Sequence, residues 1–302
     1  MPEFSFADAA FVGFRFTRER PGAVAAWAGM TFAVNVTAAV FGALIGGDAF
    51  HAFNILGSHP TWEEVVQTFP PAAPAVLVVF LINFAGAALI YASAMRSFLG
   101  TDKTVTFRAG ADEKRLFLVL WLYFFVYLLL DIVTGVALGL LEAIFGLFSP
   151  TTAGLLSMLS PAIMLIVPAI VIVRLSLAPV IAVDRKRIDL KESWVCTRGH
   201  FLPLAGSLAL SFVLFVIVAF VAMMLIVALG NLASVGTGGL ITAPQQAMAN
   251  GAAKNFSPSA IVFGGISVAI FIGVFLPVIL GPQVRAYQAY DAPDPVLEPA
   301  GA

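Results

Sequence analysis

Apolar runs long enough to cross a bilayer recur along the whole chain, near residues 24–47, 75–97, 116–147, 155–182, 202–230 and 259–281. A hydrocarbon core of roughly 30 Å takes about 20 helical residues, and 302 residues cannot bury so many such runs in one soluble core. Composition agrees, with 60% of residues hydrophobic and 11% charged, against about 25% charged in soluble domains. The expected fold class is all-α: a polytopic membrane protein of six transmembrane helices, forming one membrane domain over 1–290. The tail 291–302, DAPDPVLEPAGA, is Pro-rich and acidic and is expected to be disordered.

Lysine and arginine are sorted between the connections. Arg15, Arg18 and Arg20 precede the first run; Arg96, Lys103, Arg108, Lys114 and Arg115 fill the second connection; Arg185, Lys186, Arg187, Lys191 and Arg198 fill the fourth. The first connection (48–74) and the third (148–154) have none, and the fifth (231–258) has only Lys254. The positive-inside rule then places both termini in the cytoplasm. The N-terminus interleaves acids, arginines and phenylalanines, so it does not read as a signal peptide. Net charge is −1, which argues neither for nor against nucleic acid; no nucleic-acid partner is expected, and Cys196, the single cysteine, reads as a bystander.

Each odd-numbered run comes after a short segment with a helix-start signature. Ser5 and Asp8 are a capping pair before Ala7, Ala10, Phe11 and Phe14; Asp189 and Glu192 repeat it before Leu190, Trp194, Thr197 and Phe201; Gly110 and Glu113 form a weaker version. This predicts three cytoplasmic amphipathic helices at the membrane interface, with Phe11, Phe14 and Trp194 as anchors and lysines and arginines near anionic lipid. The unit is one arm followed by a hairpin of two spans, used three times over about 4–97, 108–182 and 189–281. The third run, about 32 residues and roughly 48 Å as helix, is expected to tilt, bend near its glycines or emerge on the far side.

RLSLAP at 174–179, ESW at 192–194 and TRG at 197–199, followed by an apolar run, resemble a bacterial integral-membrane family. Its members occur alone or fused ahead of glycerophosphodiester phosphodiesterase domains. FRAGADEKRL at 107–116 is similar to a segment of stand-alone alphaproteobacterial members. The resemblance implies a six-span protein of the bacterial inner (plasma) membrane with no settled biochemical activity. The runs leave no room for the phosphodiesterase barrel, so its chemistry is not carried over.

Ionisable groups inside spans are costly and usually face a partner. Asp131, Gly135, Gly139, Glu142 and Gly146 share one helical face; Asn35 shares a stripe with Thr31, Ala38, Gly42 and Gly46; Asn83 shares one with Gly86 and Ser93. These read first as helix-packing seams, and second as a polar path through Asp131, Asn35 and Asn83. Arg174, about nine residues from the end of the fourth run, starts roughly 14 Å deep and can snorkel outward. Glu192 on the following arm and the deeper Asp131 could both meet it, and a lipid phosphate or substrate is a further possibility. The favoured reading is a structural Arg174–Glu192 ion pair that fixes the arm to the bundle.

His51, His59, Glu63 and Glu64 match no metal-ligand spacing and read as a solvated loop. No phosphate-cradling loop, nucleophile with base, or metal site is found, so no cofactor, metal or enzymatic activity is expected. The expected function is a non-catalytic scaffold contacting membrane lipids, another membrane protein or itself. The alternative is a transporter or channel for a small or lipidic solute.

Overall fold

A computed structural model of the chain describes residues 5–54, 61–102, 104–236 and 258–290. Among these there is no strand, and the helices are α1 (Phe6–Glu19), α2 (Pro21–Asn54), α3 (Trp62–Leu99), α4 (Ala111–Phe148), α5 (Pro150–Leu175), α6 (Ala178–Asp184), α7 (Leu190–Cys196), α8 (Phe201–Gly236) and α9 (Pro258–Tyr290). Five helical stretches are long and apolar enough to cross a membrane: Pro21–Phe53, Trp62–Leu99, Ala111–Phe148, Gly154–Asp184 and Phe201–Ala222. The molecule is an all-α, multi-pass membrane protein.

Local signals set the helix ends, and several differ from the sequence expectation. The Ser5 hydroxyl accepts the Asp8 N–H at the start of α1, as its spacing predicts. α3 starts at Trp62 rather than near 75, because Thr61 and Glu64 exchange side-chain and backbone hydrogen bonds in a capping box. Pro70, Pro71 and Pro74 lie inside α3 without ending it, so much of the expected 48–74 loop is helix. α2 runs on to Asn54 through an irregularity at Gly47, whose φ of 48° a residue without Cβ adopts at little cost. The expected interfacial arm before the third span is not there: α4 begins directly after Gly110 and continues to Phe148. The Gly110–Glu113 pair caps the long helix itself. At 38 residues, α3 and α4 are each roughly 57 Å long and outreach a hydrocarbon core at one or both ends. Residues 237–257 of the fifth connection, His59 and the tail 291–302 lie outside the described residues.

α2 packs on α3, α4 on α5, and α9 on α8 and α2, while α1 lies across α8 and α9. Small residues permit the closest approaches. A Cβ on Gly13 of α1 would stand 2.5 Å from the Val278 Cα, and one on Gly281 of α9 would stand 2.5 Å from the Gly13 nitrogen. A Cβ on Gly86 would stand 2.5 Å from Val34, and one on Gly46 2.7 Å from the Ala75 Cβ. The Asn35 and Asn83 stripes are thus parts of the α2–α3 seam.

The packed interior lies at the end of the bundle that carries the basic connections. Trp27, Met95, Leu116, Leu177, Ile181, Leu204 and Leu280 are enclosed there. Phe16 of α1 stacks on Phe98 (4.2 Å between centroids) and Trp27 (5.6 Å), joining the arm to α2 and α3. Leu140, Leu147, Phe148, Met158 and Leu165, toward the other end, are exposed. That pattern suits helices solvated by lipid, whose tails are as apolar as leucine.

Candidate functional site at the basic end

Arg96, near the end of α3, is 2% exposed and surrounded by acceptors. Its Nε donates to Asp102 Oδ2 at 2.9 Å, one terminal nitrogen to Glu113 Oε1 at 2.6 Å, and the other to the Thr106 carbonyl at 3.1 Å. Glu113 is itself buried, and its second oxygen accepts the Gly110 N–H at 2.9 Å. A buried guanidinium is tolerable only when paired and fully hydrogen-bonded, and this cluster meets that condition while clamping the α3–α4 turn. The Thr106 hydroxyl donates to Asp102 at 2.7 Å. This bond first, then Arg96, holds the Asp102 carboxyl below its ordinary range, against desolvation acting the other way.

The second constellation forms where the fourth apolar run is interrupted. Pro179 has no N–H to give the Leu175 carbonyl, four residues earlier. Helix α5 ends at Leu175, and α6 starts shortly after it at Ala178. The Tyr123 hydroxyl from α4 donates to the Leu175 carbonyl instead. The Arg174 carbonyl accepts from the Ser193 hydroxyl at 3.0 Å, and the Thr197 hydroxyl oxygen lies 3.4 Å from it. Beyond the interruption, Ala178 to Val183 are all buried. Arg174 is therefore at the end of α5, not nine residues inside a continuous helix.

The expected Arg174–Glu192 pair is not formed. Arg174 donates to the Thr197 carbonyl at 3.0 Å, and its guanidinium lies over the rings of Trp194 (5.5 Å) and Phe201 (5.0 Å). Glu192 instead takes Arg185 and Arg187, the latter at 2.7 Å. The reason is helical phase: Ser193 and Thr197, four apart, face Arg174, and Glu192 is rotated about 100° from that face. The tie between Arg174 and the arm exists, but it is made to a carbonyl and two rings. Asp184 accepts from the Tyr287 hydroxyl at 2.6 Å, which links α6 to α9.

The mid-helix polar residues do not converge. Asp131 is exposed, Glu142 is partly so, and neither has an ion pair or hydrogen bond among the described residues. A Cβ on Gly139 would meet nothing, and one on Gly135 only the Met164 methyl at 3.9 Å. The α4 stripe is therefore an outer face rather than a seam within the chain, because α4 turns Leu138 inward instead. The amides of Asn35 and Asn83 each donate at 2.8 Å to a carbonyl of their own helix, Thr31 and Val79. Glu63 accepts from Gln67, and Glu64 is used in the α3 cap, while no described group of ligating residues could hold a metal ion. Of the predicted anchors, Phe11 and Trp194 are exposed and Phe14 is half-buried with its ring 6.4 Å from that of Phe11.

Sequence reasoning missed Arg96, Asp102, Tyr123 and Tyr287 as tertiary partners. Their one available signal was arginine and aspartate bracketing a short turn after an apolar run. Ser193 is legible in the sequence only as a member of ESW, and Thr197 as a member of TRG and of the stripe with Leu190, Trp194 and Phe201. These segments and RLSLAP meet in space, which gives those short motifs a shared structural role. No protein-family model matches the chain, and no curated protein or solved structure matches it either. The family resemblance rests on RLSLAP, ESW, TRG and FRAGADEKRL.

Proposed function

We propose that this chain is a non-catalytic scaffold of the bacterial inner membrane, with six spans in three hairpins and both termini cytoplasmic. Its basic end is the working surface, contacting lipid headgroups, a partner membrane protein or a second copy. The observation that carries this reading is how the charged groups at that end are used. Arg96 closes the α3–α4 turn, Arg174 and Arg185 hold α7 and the residues after it, and Asp184 joins α6 to α9, while Phe6, Phe11 and Trp194 are exposed. A rigid aromatic and basic face suits a headgroup layer. The sorting of lysine and arginine supports the orientation, and RLSLAP, ESW and TRG support a resemblance to the membrane family, which has no settled biochemical activity.

A carrier calls for polar groups meeting at mid-depth, and Asp131, Asn35 and Asn83 stand apart. The test is uptake of a panel of ionic and organic solutes into proteoliposomes holding wild type or Asp131→Asn. A scaffold gives no uptake above empty vesicles. Concentrative uptake lost in the variant would replace this reading with transport.

A further inference from the structure

A groove of about 450 Å³ opens between α3 and α4, within the size range of ligand sites. Ala85, Ala88 and Leu89 of α3 form one wall and Phe117 and Leu118 of α4 the other, with Lys114 at the basic end. The groove exists because α3 presents alanines where α4 presents large side chains. Ala85 lies eleven residues before Arg96, so the apolar floor extends roughly 16 Å along α3 from the charged turn.

The charges at the mouth are unequal in availability. Segment 96–115 holds Arg96, Lys103, Arg108, Lys114 and Arg115 against Asp102, Asp112 and Glu113. Arg96 takes Asp102 and Glu113, and Arg115 takes Asp112 at 2.7 Å. Glu113, which also lines the groove, has both oxygens occupied. Lys114 is exposed and has no ion pair among the described residues, and the same holds for Arg108, beside the groove-lining Ala109. An apolar trough whose wall carries an exposed lysine with no ion pair among the described residues suits a molecule that joins a hydrocarbon chain to an anion.

We propose that this groove holds one anionic phospholipid, its acyl chain along Ala85, Ala88, Leu89 and Phe117 and its phosphate at the Lys114 ammonium. The proposal rests on the basic end being a lipid-contacting surface, and it names the lipid class. Native mass spectrometry of the full chain from neutral detergent, with added phosphatidylglycerol, phosphatidylcholine or glycerol 3-phosphate, tests it. Wild type is expected to retain one phosphatidylglycerol per chain, preferred over phosphatidylcholine by roughly fivefold, and no glycerol 3-phosphate. Lys114→Gln brings the two lipids to parity, Lys114→Arg keeps the preference, and Ala85→Phe, which fills the exposed floor, loses both. Equal retention of both lipids by wild type, or a preference unchanged in Lys114→Gln, overturns the site. Should Ala85→Phe lose its native melting transition, the Gln and Arg variants decide alone. Solute uptake in proteoliposomes would overturn the scaffold reading and leave these lipid counts unchanged.

Discussion

Arg96 and Arg174 each stand within a few residues of the end of a long apolar helix, and each ties that helix to the next segment of chain, by different chemistry. Arg96 is enclosed and is matched by two carboxylates and a carbonyl. Arg174 is half-buried and is satisfied by one carbonyl and two aromatic faces, with no carboxylate. Burial explains the difference: a desolvated guanidinium needs opposite charge, whereas one with water access needs only geometry.

Removing Arg96 should expose this contrast most plainly. Arg96→Met leaves Glu113 buried and unpaired, so a loss of about 3–5 kcal/mol is expected in detergent unfolding, partly restored by adding Glu113→Gln. Next comes Tyr123→Phe, which strands the Leu175 carbonyl at the α5–α6 interruption; a loss of about 1–3 kcal/mol should appear in the same assay. Arg174→Ala is expected to cost about 1–2 kcal/mol, from one hydrogen bond to a charged donor and its ring contacts.

Glu192→Ala should cost at most about 1 kcal/mol, since its partners Arg185 and Arg187 reach solvent. Because Glu192 and Arg174 do not touch, their losses should add within about 0.5 kcal/mol; strong coupling would restore the ion pair that the structure replaces. The smallest effect is with pH. The folded Asp102 carboxyl titrates below its unfolded value, so its contribution is full above about pH 4 and is lost as pH falls further. Asp102→Asn should flatten that part of a melting profile.

The legible parts of this protein were those fixed by local chemistry. The apolar runs located the long helices, and Ser5–Asp8, Asp189–Glu192 and Gly110–Glu113 marked real helix starts. The start of α3 lies upstream of its apolar run because the Thr61–Glu64 box begins a helix that Pro70, Pro71 and Pro74 do not end. The stripe of glycines around Asp131 resembles a packing seam in sequence, yet Asp131 is exposed. Which face of α4 meets α5 depends on the partner helix, and periodicity along α4 cannot carry that information.

A bilayer's thickness and the cost of moving charge through it act on each segment separately, so the order of residues alone dictates a helical membrane chain with charge sorted to one end. Packing between segments settled which carboxylate met which arginine, that Thr197 and two rings would hold Arg174, and that a groove would open beside Lys114. Those outcomes depend on helical phase and on contacts between residues far apart in the chain, which no single segment encodes.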